Sequence, residues 1–317
     1  MKKKLLMIIN PCSGKSKRND DLSDALRVFG SHGYTTTVLN TTKSGDATQF
    51  AKEHGADYDI VVCRGGDGTF CEMMNGIMTL DKKPQIGFIP AGTTNDLANT
   101  LGLSPDAEKA AKLIMKEASR KSDLGCFNGR YFTYVASFGA FTKCSYATSQ
   151  KLKNKIGRLA YFYGAAKDVK DIKPVPMKCT VDGVEYEGSY IFGSISNSYT
   201  VGKIIHMNED EVCLNDGKFE VILAQNPGSI KGWLGIGECI LKKDFTNKNL
   251  VFVHGEHIEI KTLDGSKIPW TLDGEFGGDT SEVVLDVHKH AFSMFRPPLL
   301  HEMENADQNH TSNTAGV

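Results

Sequence analysis

The stretch Gly65-Gly66-Asp67-Gly68-Thr69 (GGDGT) directly follows the apolar run Asp59–Cys63 and directly precedes a helical pattern. A strand, a glycine turn and a helix N-terminus in this order point free backbone N–H groups and a partial positive charge at one spot, which suits phosphate. Asp67 would repel phosphate unless a divalent cation lies between them, so it indicates Mg²⁺. A tight turn that merely needs glycine would not explain this aspartate. The T-x-x-E pattern from Thr69 to Glu72 predicts that the helix starts at Thr69.

Two further loops follow apolar runs in the same way. Asn10-Pro11-Cys12-Ser13-Gly14-Lys15 comes after the run Leu5–Ile9, and Pro90-Ala91-Gly92-Thr93-Thr94-Asn95-Asp96 comes after the run Gln85–Ile89. A Walker motif would need glycine at Ile9, so the first of them is a glycine turn with a lysine, which alone is equally compatible with an ordinary turn. Because open parallel sheets bind ligands at the carboxyl ends of their strands, the three loops together predict a phosphate site at one sheet edge.

The chain changes character near residue 123. Up to about Lys121, short apolar runs alternate with helical patterns, which is typical of parallel βαβ units. The predicted strands are Leu5–Ile9, Tyr34–Leu39, Asp59–Cys63 and Gln85–Ile89, and the predicted helices are Asp20–Phe29 and Asp46–His54. From about Asp123, strands become more numerous and are separated by Asp-Gly turns, as hairpins require. We therefore predict an α/β domain over residues 1–124 and a β-rich domain over 125–287.

The end of the chain is predicted separately. Residues from about 288 to 300 are candidates to return to the first domain, and the polar tail 301–317 is predicted to be disordered. Within the β-rich half, helical patterns near Leu152–Val169 and Ile230–Leu241 interrupt the strands.

Composition excludes several classes of protein. The formal net charge of −1 gives no basic field for nucleic acid, so no nucleic-acid partner is expected. The eight cysteines are scattered singly without a zinc-type spacing, which indicates buried thiols in a reducing compartment. The lysines at the start imitate a signal peptide, but the apolar run stops at Asn10-Pro11. We expect a cytoplasmic protein that meets any membrane substrate from the water side.

A second acidic motif, Leu272-Asp273-Gly274-Glu275, lies in the β-rich half. A carboxylate within hydrogen-bond reach can take the proton of an attacking hydroxyl, so one of Asp273 and Glu275 is a candidate general base. Side-chain alternation on a strand end would let both point into one cleft. Which of the two is the base stays open, and the similar stretch Leu263-Asp264-Gly265 is a decoy that lacks the glutamate.

The motifs NPxSGK, GGDGT and PxGTxND, in this order, resemble the diacylglycerol kinase catalytic-domain family, especially its soluble bacterial lipid kinases, over roughly residues 3–297. The resemblance implies an NAD-kinase-like α/β N-terminal domain whose parallel sheet carries the GGDGT loop, a C-terminal β-sandwich domain, and ATP and Mg²⁺ in the cleft between them. The implied nucleotide-binding residues are Asn10, Pro11, Cys12, Ser13, Gly14, Lys15, Thr41, Gly65, Gly66, Asp67, Gly68, Thr69, Thr93 and Asn95.

The resemblance also implies an acidic network and a second metal loop. Asp67, Asp96 and Asp123 would organise the catalytic Mg²⁺, and Asp273 and Glu275 match the LDGE motif. A structural cation would be held by Asp216 and the backbone carbonyls of Cys213 and Lys218, although the residues alone favour a hairpin turn there. One departure is Gly164. Some relatives carry a lysine at this position, and Lys167 is a candidate to take its place. The basic residues Lys151, Lys153, Lys155 and Arg158 suit anionic headgroups or a solvated helix face.

The function expected from these features is transfer of the ATP γ-phosphate to a lipid hydroxyl, with diacylglycerol as the first candidate acceptor. GGDGT is shared by kinases that act on NAD or sugar phosphates, so another acceptor, such as phosphatidylglycerol, a sphingoid base or NAD, is the alternative. A non-catalytic nucleotide-binding regulator would lack Asp273 or Glu275, and both are present. We expect a homodimer in peripheral contact with the inner face of the membrane.

Overall fold

The structure, a computed structural model, describes residues 3–14, 20–93, 95–139, 173–201, 205–208, 212–299 and 302–303. Several predicted features lie outside the described residues: Lys15, the helix at 152–169 with its basic cluster, Gly164 and Lys167, and the tail apart from residues 302–303. In the described part of the chain, no helix is long and apolar enough to cross a membrane.

The chain forms two compact units. The first contains the chain up to Ser122, residues 212–215, and the segment from His290 onward. The second contains the rest of the described chain from Asp123 to Lys289. The boundary lies two residues before the predicted one, and residues 290–299 belong to the first unit.

The first unit is built on parallel strands in the order β2-β1-β3-β4. The strands are β1 (Lys3–Ile9), β2 (Tyr34–Asn40), β3 (Ile60–Gly65) and β4 (Gln85–Pro90). The helices are α1 (Asp20–Ser31), α2 (Asp46–His54), a 3₁₀ turn (Gly55–Asp57), α3 (Asp67–Ile77), α4 (Asp96–Thr100) and α5 (Ala107–Lys116). This confirms the predicted α/β domain with a parallel sheet.

Apolar side chains on both faces of the strands explain why this sheet forms. Leu5 and Met7 of β1 pack in one core with Phe29 of α1 and Ile114 of α5. The intervening Leu6 is also fully buried, which is the pattern of a strand covered on both faces. Because the four strands are parallel, their carboxyl ends lie at one edge of the sheet, where the loops to the following helices begin.

The second unit is antiparallel, with strand order β16-β15-β7-β9-β8-β14-β17, while β12 pairs with β9 and β13. Its strands are β5 (Ser119–Phe127), β6 (Arg130–Phe132), β7 (Val135–Gly139), β8 (Val175–Val181), β9 (Val184–Ser196), β10 (Thr200–Val201), β11 (Ile205–His206), β12 (Phe219–Gln225), β13 (Leu250–Gly255), β14 (His257–Thr262), β15 (Ile268–Leu272), β16 (Glu275–Thr280) and β17 (Glu282–Phe295). Its described helix is α6 (Ile230–Lys242). The strands β5 and β17 each have residues in both units.

Alternating side chains give the second unit its core. Trp270 of β15 lies 4.8 Å from Phe138 and 5.0 Å from Phe127, measured between ring centroids. The predicted turn at Asp182-Gly183 joins β8 to β9 with positive φ at both residues (48° and 84°), the geometry of a type I′ hairpin turn. The antiparallel, sandwich-type fold predicted for this half is confirmed.

Burial of the cysteines differs from the prediction at four of the described positions. Cys63, Cys71 and Cys179 are buried and Cys126, Cys213 and Cys239 are half-buried, whereas Cys12 is exposed because it lies in the loop after β1.

Candidate functional site

The three predicted loops meet at the carboxyl edge of the parallel sheet. The backbone N–H of Asn10 donates to the carbonyl of Arg64 at 2.9 Å, and the N–H of Ala91 donates to the carbonyl of Gly65 at 2.7 Å. The N–H of Thr41 likewise donates to the carbonyl of Ile9 at 2.8 Å. Backbone hydrogen bonds thus continue past the strand ends and hold the loops side by side.

Side chains from the first loop extend this contact to the GGDGT loop. The Ser13 hydroxyl accepts the N–H of Gly66 at 3.3 Å, and the Asn10 amide donates to the Thr69 hydroxyl at 3.0 Å. The side-chain Oδ1 of Asn10 accepts the N–H of Cys12 at 3.0 Å. Asn10 therefore joins its own loop to the start of α3, which explains an amide at this position better than a simple turn does.

Glycines permit the close approach of these loops. A Cβ at Gly92 would lie 2.6 Å from the Cα of Gly66, and a Cβ at Gly14 would lie 2.2 Å from the carbonyl oxygen of Ala91. Gly14 also has a positive φ of 70°. Because such contacts involve backbone atoms, no side chain could be accommodated without moving a loop. The bare backbone that results suits phosphate binding.

The carboxylate of Asp67 links two of the loops. Asp67 is the first residue of α3, it is only 8% exposed, and its Oδ2 accepts the N–H of Asp96 at 2.8 Å. Asp96 is in turn the first residue of α4 and is 7% exposed. Two buried carboxylates beside a phosphate-type cradle are hard oxygen ligands, and Mg²⁺ commonly binds one or two such groups together with substrate phosphates. The residues present therefore fit the magnesium that the sequence predicted.

The predicted helix start at Thr69 is wrong. Helix α3 begins at Asp67 with Gly66 as N-cap, and Glu72 does not form a capping box. The Glu72 carboxylate instead accepts the Ser44 hydroxyl at 2.7 Å and the Gly45 N–H at 3.0 Å. Glu72 thus links α3 to the loop before α2. The T-x-x-E spacing alone could not show whether Glu72 caps its own helix or contacts another loop.

The other predicted nucleotide-binding residues are placed as follows. Pro11, Cys12 and Thr93 are exposed on their loops, and Thr41 is buried after β2. The Asn95 amide donates to the carbonyl of Gly92 at 3.0 Å, in a left-handed conformation with φ 50°. Gly68 lies in the first turn of α3.

In the second unit, the carboxylate of Asp273 is held by four donors. Oδ2 accepts the N–H and the hydroxyl of Thr133 at 2.7 and 2.8 Å, and Oδ1 accepts the N–H groups of Tyr134 and Val135 at 2.9 and 3.1 Å. Burial raises the pKa of Asp273 above its ordinary value, and these hydrogen bonds oppose that rise. Sequence reasoning missed Thr133, Tyr134 and Val135, since no local pattern points to a partner about 140 positions away.

The strand-end alternation predicted for the acidic pair is wrong. Asp273 and Gly274 form the turn between β15 and β16 with φ 51° and 85°, so Asp273 is a turn residue rather than part of a strand. Glu275 is the first residue of β16 and is exposed, whereas Asp273 is 5% exposed. The two carboxylates therefore have different environments: one is saturated with structural donors and the other faces solvent.

Asp123 and the predicted cation loop also lie in defined places. Asp123 is 2% exposed and its Oδ2 accepts the N–H of Gly217 at 2.6 Å, within the second unit. Asp216 is exposed, and its Oδ1 accepts the N–H of Lys218 at 2.8 Å. Cys213 belongs to the first unit. No cluster of three or more His, Cys, Asp or Glu is found among the described residues, and the carbonyl ligands of this loop stay a prediction.

Comparison with known proteins gives consistent matches to one family. Residues 4–127 match the profile described as diacylglycerol kinase catalytic domain, and residues 136–296 match the YegS C-terminal NAD kinase beta sandwich-like domain. The chain is 30% identical over 291 residues to a diacylglycerol kinase of Bacillus subtilis (strain 168), covering 91% of this chain and 95% of that protein. It is 31% identical over 299 residues to a diacylglycerol kinase of Staphylococcus carnosus (strain TM300), covering 92% and 94%.

A solved structure shows the same similarity. The crystal structure of a diacylglycerol kinase from Bacillus anthracis str. Sterne matches with a TM-score of 0.73 and 25% sequence identity, covering 93% of this chain and 97% of that one. The likeness thus extends over nearly the whole length of both chains.

We predict that Asp67→Asn lowers kcat about 10³-fold while the protein stays folded, because several kcal/mol of charge stabilisation depend on the carboxylate. The asparagine carbonyl can still accept the Asp96 N–H, so the loop contact is preserved. Phosphate transfer from labelled ATP measures the loss, and the melting temperature tests the fold. Asp106→Asn, at the exposed N-cap of α5, is the matched control and should leave both quantities unchanged. Near-native turnover by Asp67→Asn would contradict the assignment.

We further predict that Gly92→Ala lowers the free energy of unfolding by about 1–3 kcal/mol and weakens nucleotide binding, because the new methyl group would overlap the Gly66 backbone. Gly30→Ala in α1 has open space around the added Cβ, and as a helical position it should gain roughly 0.5–1 kcal/mol. Urea unfolding and nucleotide titration of both variants test the difference. Equal stabilities would show that the loops do not depend on this contact.

Proposed function

The chain belongs to the diacylglycerol kinase family and is a lipid kinase, and from this we propose that it transfers the γ-phosphate of ATP to the hydroxyl of diacylglycerol, giving phosphatidic acid. The observation that carries the proposal is the junction of the GGDGT and GTTND loops through the Asp67 carboxylate and the Asp96 N–H. Support for the acceptor comes from relatives named diacylglycerol kinase that cover over nine-tenths of the chain.

The first unit supplies the nucleotide chemistry in this proposal. Backbone N–H groups of the glycine loops and the N-terminus of α3 bind the phosphates of ATP, and Asn10 and Ser13 keep the loops in register. Asp67 and Asp96 would hold Mg²⁺, which when bound neutralises charge on the phosphate oxygens. The loop residues Gly14 and Gly66 let the backbone approach the phosphates closely.

The second unit supplies the acceptor chemistry. The lipid hydroxyl oxygen forms a bond to the γ-phosphorus, the bond from that phosphorus to the bridging oxygen breaks, and ADP leaves with the electron pair. The hydroxyl proton passes to a carboxylate, for which we propose Glu275, because its exposed oxygens can accept it. Asp273 has both oxygens occupied by donors from Thr133, Tyr134 and Val135 and is therefore a positioning residue.

The proposed cellular location of the enzyme follows from its acceptor. A kinase that acts on a membrane lipid must reach it at the bilayer surface, and we propose peripheral contact with the inner face of the membrane from the cytoplasm. The homodimer and the structural cation at Asp216 stay predictions from the sequence.

The acceptor is tested by incubating the enzyme with labelled ATP, Mg²⁺ and a panel of diacylglycerol, phosphatidylglycerol, a sphingoid base and NAD. We expect labelled phosphatidic acid as the main product, with activity abolished by EDTA. Preferential labelling of another acceptor would keep the lipid kinase chemistry but overturn diacylglycerol as the substrate.

The assignment of Glu275 is tested by separating turnover from stability. Glu275→Gln should lower kcat by about 10²–10⁴-fold without changing the melting temperature, since a positioned base contributes that much. Glu187→Gln, an exposed carboxylate on β9, should change neither. Asp273→Ala should instead unfold more easily, by about 3 kcal/mol or more, because it leaves buried donors unpaired. A Glu275→Gln enzyme with native kcat would show that the base lies elsewhere.

A further inference from the structure

One face of helix α6 exposes apolar side chains to solvent. Leu234 and Leu241 are 40% and 38% exposed. They are separated by almost two whole turns, so they lie on the same side of the helix. The opposite side is anchored in the protein, because Trp233, Ile236 and Ile240 are buried. The exposed pair is therefore held on a packed helix, and we call Leu234 and Leu241 the leucine edge.

Lysines surround the leucine edge. Residues 230–248 contain four lysines and two acidic residues, so this segment has a formal charge of +2, whereas the whole chain has −1. One of the acidic residues, Glu238, forms an ion pair with Lys242 at 2.7 Å. Among the described residues, no ion pair involves Lys231, Lys243 or Lys248. The segment around the leucine edge therefore carries an excess of basic charge.

The small size of the leucine edge favours a bilayer over a protein as its partner. A stable protein interface buries about 800 Å² on each partner. Two leucines that are less than half exposed offer only a small part of that area. A bilayer needs no matching shape, since its acyl region accepts any apolar side chain, and its anionic headgroups attract lysines at the same time. The leucine edge and its lysines therefore complement an anionic membrane surface.

Contacts within the second unit connect α6 to the turn that precedes Glu275. The helix packs against β11, and β11 pairs with β10, which follows β9 after a short loop. In that loop the N–H of Asn197 donates to the carbonyl of Tyr134 at 2.9 Å. The N–H of Tyr134 donates in turn to the Asp273 carboxylate at 2.9 Å. Only a few contacts thus separate α6 from the turn that holds the proposed base.

We propose that the leucine edge and its lysines dock the enzyme on the anionic surface of the membrane that contains the lipid acceptor. This inference rests on the proposed function, which requires contact with a bilayer but does not say which residues make it. Leu234 and Leu241 enter the boundary between headgroups and acyl chains, and Lys231 and Lys248 contact the anionic headgroups. Docking through α6 keeps the second unit, which supplies the acceptor chemistry, at the bilayer surface.

The apolar contact is tested by sedimenting the full chain with vesicles of equal parts phosphatidylcholine and phosphatidylserine, without ATP. Leu234→Gln combined with Leu241→Gln should lower the partition coefficient about tenfold, because two apolar side chains no longer enter the bilayer. The matched control is Val184→Gln combined with Leu263→Gln, since these residues are 55% and 52% exposed elsewhere in the second unit. The control should bind like the wild type, and the melting temperature of each variant tests its fold.

The charge contact is tested with Lys231→Gln combined with Lys248→Gln. Each lysine near an anionic surface strengthens binding about fivefold, so this variant should bind the mixed vesicles about 25-fold more weakly. Wild-type binding should weaken as salt is added. On vesicles of phosphatidylcholine alone, the variant should match the wild type. Lys82→Gln combined with Lys83→Gln, at two exposed lysines of the first unit, is the control and should bind both kinds of vesicle normally.

The proposal is overturned if the leucine or the lysine variant binds the mixed vesicles as well as its control does. It is also overturned if the leucine variant changes only the oligomeric state in analytical ultracentrifugation, which would assign the leucine edge to a second copy of the chain. Phosphorylation of diacylglycerol added to the same vesicles separates this failure from that of the proposed function. Binding that depends on the leucines without any labelled phosphatidic acid would support the docking surface and overturn diacylglycerol as the acceptor.

Discussion

One hydrogen bond, from the Asp96 N–H to the Asp67 carboxylate at 2.8 Å, determines much of the first unit's site. It joins the N-termini of α3 and α4, so the two loops that follow β3 and β4 cannot move independently. A charged acceptor of this kind contributes about 1.5–3 kcal/mol, more than a neutral pair. It also buries a carboxylate beside the glycine turns. The same group therefore orders the loops and, in the proposed function, would help to hold Mg²⁺.

Asp67 and Asp273 are buried carboxylates with different structural roles. Asp67 accepts a backbone N–H at a helix start, where the helix dipole also favours a negative charge. Asp273 accepts four hydrogen bonds from one short segment, Thr133 to Val135, which ties the turn before β16 to that segment. Both carboxylates are buried, but one joins two helix N-termini and the other holds a turn between two strands.

Much of this architecture could be predicted from the sequence because the signals are local. Continuous apolar runs mark β1 and β3 as buried strands, and the glycines after each strand predict the loops that meet at the carboxyl edge of the sheet. The start of α3 was misplaced because Thr69 and Glu72 have the spacing of a capping box, yet Glu72 binds Ser44 in a neighbouring loop. The support for Asp273 was not predictable, since its donors are distant in sequence and come mostly from backbone N–H groups that any residue would provide.

The conformation of the Asp273-Gly274 turn explains why an aspartate and a glycine occur together there. A type I′ turn needs two residues with positive φ, which aspartate tolerates and glycine favours. The backbone at Asp273 is strained for most residues, and the four hydrogen bonds to its carboxylate offset that strain. Holding this turn fixes the first residue of β16, which is Glu275, in both position and direction. The rigid aspartate therefore supports an exposed neighbouring glutamate on a fixed backbone, which is what the proton-accepting role proposed for Glu275 requires.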